Sequence, residues 1–275
     1  MAEKYIPDKI KNYKQKDILM NTYKSFDLTN KKALVTGAGQ GIGKGYALAL
    51  AEAGADVIVV DLNEKTGEET ANEIIKLGKN SIFLQADVTK SIEVKKIFKT
   101  ITKLWNKLDI AVNNAGGGHF QDAIKYSEDE WNEQLQLNLT SVLLCCQEEA
   151  KIMLKQKKGS IINTASISGS IVNRATYHAA YNTSKAGIIH LTKCLGVEWA
   201  QKGIRVNSIS PGNILTPAAY KPEVIPWHKK WADMNPMGRL GEIDDLKGPV
   251  IFLASEASNF ITGHNLLVDG GYTLW

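Results

Sequence analysis

What the chain lacks narrows it before any motif is considered. Cysteine is scarce: Cys145, Cys146 and Cys194 are the three among 275 residues. An odd count without paired spacing excludes a disulfide framework and fits a reducing compartment. No apolar run is long enough to cross a bilayer, and the first residues lack the apolar core of a secretion signal. A cytoplasmic protein without a membrane partner is expected. Neither sign of charge dominates, with 33 Lys+Arg against 29 Asp+Glu and a formal net charge of +4. With no long basic block beyond the first residues, nucleic acid is not expected as a partner. No His, Cys and acidic residues stand at metal-ligand spacing, so no metal is expected. Repeats, linkers and low-complexity tracts are missing too.

What is present is a composition that can build a sizeable core, 44% hydrophobic and 23% charged. Residues 1–26 are rich in Lys, Tyr and Asn with little apolar periodicity, and are read as an N-terminal extension. From 27 to 275 the chain alternates. Short apolar runs predict strands at 32–36, 56–61, 81–88, 109–112, 159–166, 205–210 and 265–269. Helical patterns separate them at 44–53, 64–77, 91–105, 129–155, 181–201 and within 242–255. The alternation predicts one domain, a doubly wound α/β fold of the Rossmann type with a single parallel sheet and helices on both faces. In such sheets ligands bind beyond the carboxyl ends of the strands. Gly37, Asp61, Asp87, Asn114, Ser166 and Pro211 all fall at such ends.

The first strand runs into Gly37-Ala38-Gly39-Gln40-Gly41-Ile42-Gly43 and then into a helix. Glycines there let backbone N–H groups approach a phosphate at the positive end of the helix. Asp61 closes the second strand, 18 residues after Gly43. A carboxylate at that place can accept hydrogen bonds from a ribose diol and would repel a 2′-phosphate, so NAD rather than NADP is expected.

The second constellation is Tyr181-Asn182-Thr183-Ser184-Lys185. Four residues apart on a helix, the phenol and the ammonium share a face. A phenol is a poor acid–base catalyst at neutral pH, and a fixed positive charge favours the phenolate. A Tyr tuned in this way can exchange a proton with an alcohol or carbonyl oxygen. By itself Tyr-x-x-x-Lys is a weak signal; its weight comes from its company.

Taken together, residues 26–275 resemble the short-chain dehydrogenase/reductase family. The matching motifs are Thr-Gly-x-x-x-Gly-Ile-Gly at 36–43, Asp-Val at 87–88, Asn-Asn-Ala-Gly at 113–116, Asn138, Ser166, Tyr181-x-x-x-Lys185 and Pro-Gly-x-x-x-Thr at 211–216. The resemblance implies that Tyr181 is the general acid/base, and that Lys185 lowers its pKa and binds the nicotinamide ribose. It implies that Ser166 holds the substrate oxygen, and that Asn138 bends its helix and binds a water that relays protons through Lys185. For the cofactor it implies Gly37, Gln40, Gly41, Ile42 and Gly43 at the phosphates, Asp61 and Leu62 at the adenosine ribose, and Asp87 and Val88 at the adenine. Asn114, Ala115 and Gly116 would follow, with Pro211, Gly212, Ile214 and Thr216 near the carboxamide. Many members carry the serine 13 residues before the Tyr, which is Ser168; the strand end selects Ser166. The family commonly forms tetramers, pairing the helices at 129–155 and 181–201.

The substrate-pocket residues are expected to be Ser166, Ser168, His178, Tyr181 and Asn213, with Asn173 and Arg174 beside them. Their polarity points to a hydroxylated substrate, and the loop 167–174 and the ending 269–275 resemble members acting on polyols, ketoses and sugar acids. His119 is balanced between the pocket and solvent, while His228 and His264 are expected to be structural or surface residues. Cys145 and Cys146 are expected in the core. Trp227 and Trp231, four apart, suggest a short helix that either lids the substrate or only packs. A 3-oxoacyl-thioester reductase of the same family, usually NADP-linked, and a non-catalytic dinucleotide sensor remain as other readings.

Overall fold

Seven short aliphatic runs form one parallel sheet in the computed structural model, which describes residues 22–174 and 176–275. The strands are β1 (Lys32–Thr36), β2 (Asp56–Asp61), β3 (Ser81–Gln85), β4 (Ile110–Asn113), β5 (Gly159–Thr164), β6 (Ile204–Pro211) and β7 (Asn265–Val268). Their spatial order is β3-β2-β1-β4-β5-β6-β7, every pair parallel. Most of residues 1–26, the expected extension, lies outside the described residues; Thr22–Phe26 is a 3₁₀ turn whose Phe26 ring meets Phe252 at 6.3 Å.

Helices cover both faces. In chain order they are α1 (Gly41–Glu52), α2 (Glu64–Lys76), α3 (Ser91–Trp105), α4 (Glu128–Leu135), α5 (Ser141–Gln156), α6 (Ala179–Ala200), α7 (His228–Asp233) and α8 (Lys247–Ala254). Successive strand residues point to opposite faces, and a sheet buried on both sides needs both sets apolar. On one face Ala33, Val35, Val57 and Val59 pack with Tyr46 and Leu50 of α1, Ile74 of α2 and Leu253 of α8. On the other, Leu34, Ile58, Val60 and Ala111 pack with Phe98 of α3, Cys145 and Cys146 of α5 and Ile188 of α6. This is why the central strands read as continuous aliphatic runs. The chain turns from one half of the sheet to the other at β1 and β4, and a crevice opens beyond their carboxyl ends.

Three of the differences from the sequence pattern have a polar reason. The expected helix 129–155 is broken by a π turn at Gln136–Thr140. There the Asn138 amide donates to the Gln134 carbonyl four residues back, 3.0 Å, and to the Gly117 carbonyl, 2.8 Å. Such local bonds compete with the helix ladder. β5 stops at Thr164 rather than 166, because Ser166 Oγ accepts from the Ser168 N–H at 3.1 Å and starts a 3₁₀ turn. β3 stops at Gln85 rather than 88, because Asp87 turns back to accept from the Thr89 N–H and hydroxyl. Ser166 and Asp87 border the crevice, and the π turn brings Leu137 to it.

Candidate active site

A cavity of about 420 Å³ lies beyond the carboxyl ends of β1, β2 and β4–β6. The glycine turn forms one wall. Gly37 has φ +62°, which an L side chain rarely adopts, and a Cβ there would stand 2.8 Å from the Ala115 Cα. Gly43 lies underneath, where a Cβ would come 2.0 Å from the Gly37 carbonyl oxygen. Helix α1 starts at Gly41, and its N-cap, Gln40, makes no side-chain capping bond. The first N–H groups of the helix are therefore left without a side-chain acceptor, at its positive end. Asp61 closes one end of the cavity. Its carboxylate accepts from the Gly39 N–H at 2.7 Å and the Asn63 N–H at 2.9 Å. Among the described lining residues, no Arg and no Lys other than Lys185 faces this cavity. A glycine cradle, an uncapped helix start and a fixed carboxylate fit a dinucleotide phosphate and a ribose diol.

The other end of the same cavity carries Ser166, Tyr181 and Lys185. Helix α6 starts at Ala179, which places Tyr181 in the first turn and Lys185 one turn on. Lys185 is buried; its Nζ donates to the Thr164 carbonyl at 2.8 Å and lies 5.5 Å from the Tyr181 ring centroid. Burial pulls its pKa down to about 8. Burial pushes the Tyr181 phenol up, opposed by a hydrogen bond with the Ser166 side chain. Burial is the largest influence on the phenol in the protein alone, and the ammonium expected to hold it low is turned toward Thr164. Tyr181 is thus a protonated phenol bonded to a hydroxyl, an arrangement suited to giving a proton to a carbonyl oxygen. Asn138, fully buried in the π turn, accepts from the Gly117 N–H at 2.9 Å. A Cβ on Gly116 would meet Asn138 Oδ1 and Lys185 Nζ at 2.7 and 3.5 Å, so the two side chains flank the same backbone.

Beyond Tyr181 a second cavity of about 260 Å³ opens. Ser166, Ser168, Asn173, His178, Tyr181 and Asn213 line it together. Burial pulls the His178 imidazole down to about 4. The expected residues do not all converge. Arg174 is exposed and faces a separate groove with Lys229 and Lys230, where its charge keeps water. His119 is exposed and bonds Gln121. Of the expected cofactor residues, Gln40, Gly41, Ile42, Leu62, Asp87, Val88, Asn114, Ala115, Gly116, Pro211, Gly212 and Thr216 line the first cavity. Gly43 instead packs beneath its wall, and Ile214 faces the second cavity.

Sequence reasoning missed Leu137, Thr164, Pro217 and Ala218 around the first cavity, and Val224, His228 and Leu240 around the second. Only His228 left a signal: it stands three residues before Trp231 on α7, on the same face, and both line the cavity. His228 Nε2 donates to the Ala219 carbonyl at 2.8 Å. Trp227 stacks on Trp231 but faces a different groove. Cys145 and Cys146 are buried as expected. No group of three or more His, Cys, Asp or Glu among the described residues is placed to hold a metal. No helix among them is long and apolar enough to cross a membrane.

Comparison with known proteins places this geometry. A family profile described as enoyl-(acyl carrier protein) reductase matches residues 37–273. The chain is 42% identical over 260 residues to sorbose reductase SOU1 of Candida albicans, covering 92% of this chain and 90% of that protein. It is 36% identical over 251 residues to an NAD-dependent glycerol dehydrogenase of Listeria innocua, covering 91% and 97%. It is 39% identical over 259 residues to a probable NADP-dependent mannitol dehydrogenase of Yarrowia lipolytica, covering 92% and 91%. Among solved structures, a short-chain type dehydrogenase/reductase from Mycobacterium marinum superposes with a TM-score of 0.88 at 40% identity, covering 92% and 99%. A gluconate 5-dehydrogenase from Burkholderia cenocepacia, in complex with NADP and tartrate, gives 0.86 at 32% identity, covering 92% and 99%.

Proposed function

Because the chain belongs to the short-chain dehydrogenase/reductase family, we propose that it interconverts a secondary alcohol and a ketone on a polyol, ketose or sugar acid, with NAD. The observation that carries this reading is one cavity with two ends: the glycine turn and Asp61 at one, Ser166, Tyr181 and Lys185 at the other. The nicotinamide, when bound, supplies the hydride acceptor or donor. The chain supplies position and protons. Ser166 holds the substrate oxygen, and Tyr181 gives its proton to that oxygen in reduction or takes it in oxidation. Lys185 holds the cofactor ribose, and Asn138 keeps the backbone at Gly117 in place beside it. Residues at 37–43, Asp87, Val88 and 114–116 grip the phosphates, adenine and ribose.

NAD is preferred in this reading because the Asp61 carboxylate is fixed by two N–H groups, and among the described residues lining the cavity no Arg or Lys stands beside it to neutralise a 2′-phosphate. The buried free thiols Cys145 and Cys146 favour a reducing cytoplasm. A homotetramer with α5 and α6 paired between subunits completes the proposal. The test is a rate measurement on a panel of polyols and keto-sugars with each dinucleotide. NAD-linked turnover of a polyol is the expected result; activity confined to NADP, or to 3-oxoacyl thioesters, would overturn it.

A further inference from the structure

The second cavity is polar yet uncharged. Ser166, Ser168, Asn173, Thr176, His178 and Asn213 contribute to its wall, but no Lys, Arg, Asp or Glu among the described residues does. Arg174, next to Asn173 in sequence, is exposed and faces the groove with Lys229 and Lys230 instead. His178 adds no charge above strongly acidic pH, since burial holds its ring neutral down to about 4. A carboxylate entering this space would leave water and meet no Lys or Arg among the described residues, and the second imidazole on the wall, His228, has its Nε2 committed to the Ala219 carbonyl; that costs more than the transfer of a hydroxyl that finds a partner.

One of the polar groups is set in advance. His178 Nε2 lies 3.2 Å from Asn173 Oδ1. The amide oxygen can only accept, so Nε2 carries the hydrogen and Nδ1 of the neutral ring is left an acceptor. The ring is wedged between Phe120 and Tyr181, with centroids 5.1 and 5.5 Å away. Its backbone is tied down as well: the Gln121 N–H donates to the neighbouring Tyr177 carbonyl at 2.8 Å. The imidazole therefore stands beside the phenol with little freedom to turn away.

We infer that the cavity beyond Tyr181 selects an uncharged polyhydroxy alcohol or ketose over the corresponding sugar acid, with His178 Nδ1 accepting from a hydroxyl beyond the reacting one. The selection rests on the alcohol–ketone chemistry proposed above and narrows its substrate class.

The experiment measures initial rates, with NAD and with NADP, on tetritols to hexitols, their aldonates, and cyclohexanol. The best alditol is expected to exceed the best aldonate in kcat/KM by about a hundredfold or more. In His178→Phe the ring still packs on Tyr181 but Nδ1 is gone. The variant should lose about tenfold or more in kcat/KM on the alditol, mainly through KM, and clearly less on cyclohexanol, which has no second hydroxyl. Aldonates turned over as well as alditols would overturn the inference, and so would a His178→Phe loss equal on both alcohols. The wild-type panel decides the charge selection whether or not the variant folds. No turnover of any alcohol with either dinucleotide would remove the underlying chemistry, a different failure from a preference for aldonates.

Discussion

The two cavities meet at Tyr181 and are built by different means. The first is made largely of backbone: glycines that allow close approach, a helix start without a side-chain cap, and one carboxylate fixed by two N–H groups. The second is made of side chains from the turn after β5, the loop before α6, the segment after β6 and helix α7. Backbone recognition tolerates little change, since Gly37 and Gly43 each answer a close contact with main-chain atoms. Side-chain recognition can be revised one residue at a time. That difference explains how chains similar to this one carry names as different as sorbose reductase and glycerol dehydrogenase. It also says where each kind of substitution should act.

Tyr181→Phe tests the meeting point and should have the largest effect. Turnover should fall by about 10²–10⁴-fold while dinucleotide affinity, measured by fluorescence titration, stays put. Equal losses in both would mean the two cavities do not work separately. Asp61→Ala comes next and belongs to the first cavity alone. The ratio of kcat/KM for NAD over NADP should drop by about a hundredfold, with the order of preferred alcohols unchanged. Gly43→Ala probes the cradle itself. A Cβ 2.0 Å from the Gly37 carbonyl oxygen must displace the turn, at a cost of about 1–3 kcal/mol in stability, read by denaturant titration, together with weaker dinucleotide binding.

The smallest effect concerns the β4–β5 pair. Asn113 on β4 and Asn163 on β5 are register partners, and the fully buried Glu149 of α5 accepts from Asn113 Nδ2 at 3.1 Å. Burial pushes the Glu149 carboxyl up to about 8 from an ordinary 4.5. The folded state therefore keeps a proton that the unfolded chain has already released. This group's contribution is fully present below about pH 4.5 and is lost as the pH rises toward 8. Glu149→Gln, neutral at every pH, should raise the melting temperature by ~4 °C at pH 8 and by almost nothing at pH 4.5, leaving kcat unchanged. A gain of the same size at both pH values would contradict the neutral-carboxyl reading.

The first cavity was largely legible in the sequence; of the second, Ser166, Ser168, Asn173, His178, Tyr181 and Asn213 were legible, and the wall from Val224 to Leu240 was not. The turn 37–43, Asp61 and Asp87-Val88 are short-range features, and their spacing maps directly onto strand ends. Tyr181 and Lys185 were placed by helical periodicity alone. Their desolvation was not: it depends on what packs around a group, and burial pushes the phenol up and the ammonium down. Arg174 was misjudged for a related reason. It sits in an irregular segment, where sequence spacing does not fix direction, and its charge stayed in water. His228 keeps the structural role expected of it through its bond to Ala219, and also lines the second cavity. Nothing local marks Glu149 for burial; only the packing of α5 against the sheet buries it.

The sequence by itself determined the alternating strands and helices, the glycine cradle, the acid that ends β2 and the helical turn shared by Tyr181 and Lys185, because each depends on residues close together in the chain. The tertiary structure alone decided which loops enclose the second cavity, which groups lost water and so changed their proton affinity, and how the helix at Asn138 gives way. Those outcomes depend on burial and on contacts between residues far apart in the chain, and no local pattern encodes how much water a side chain keeps.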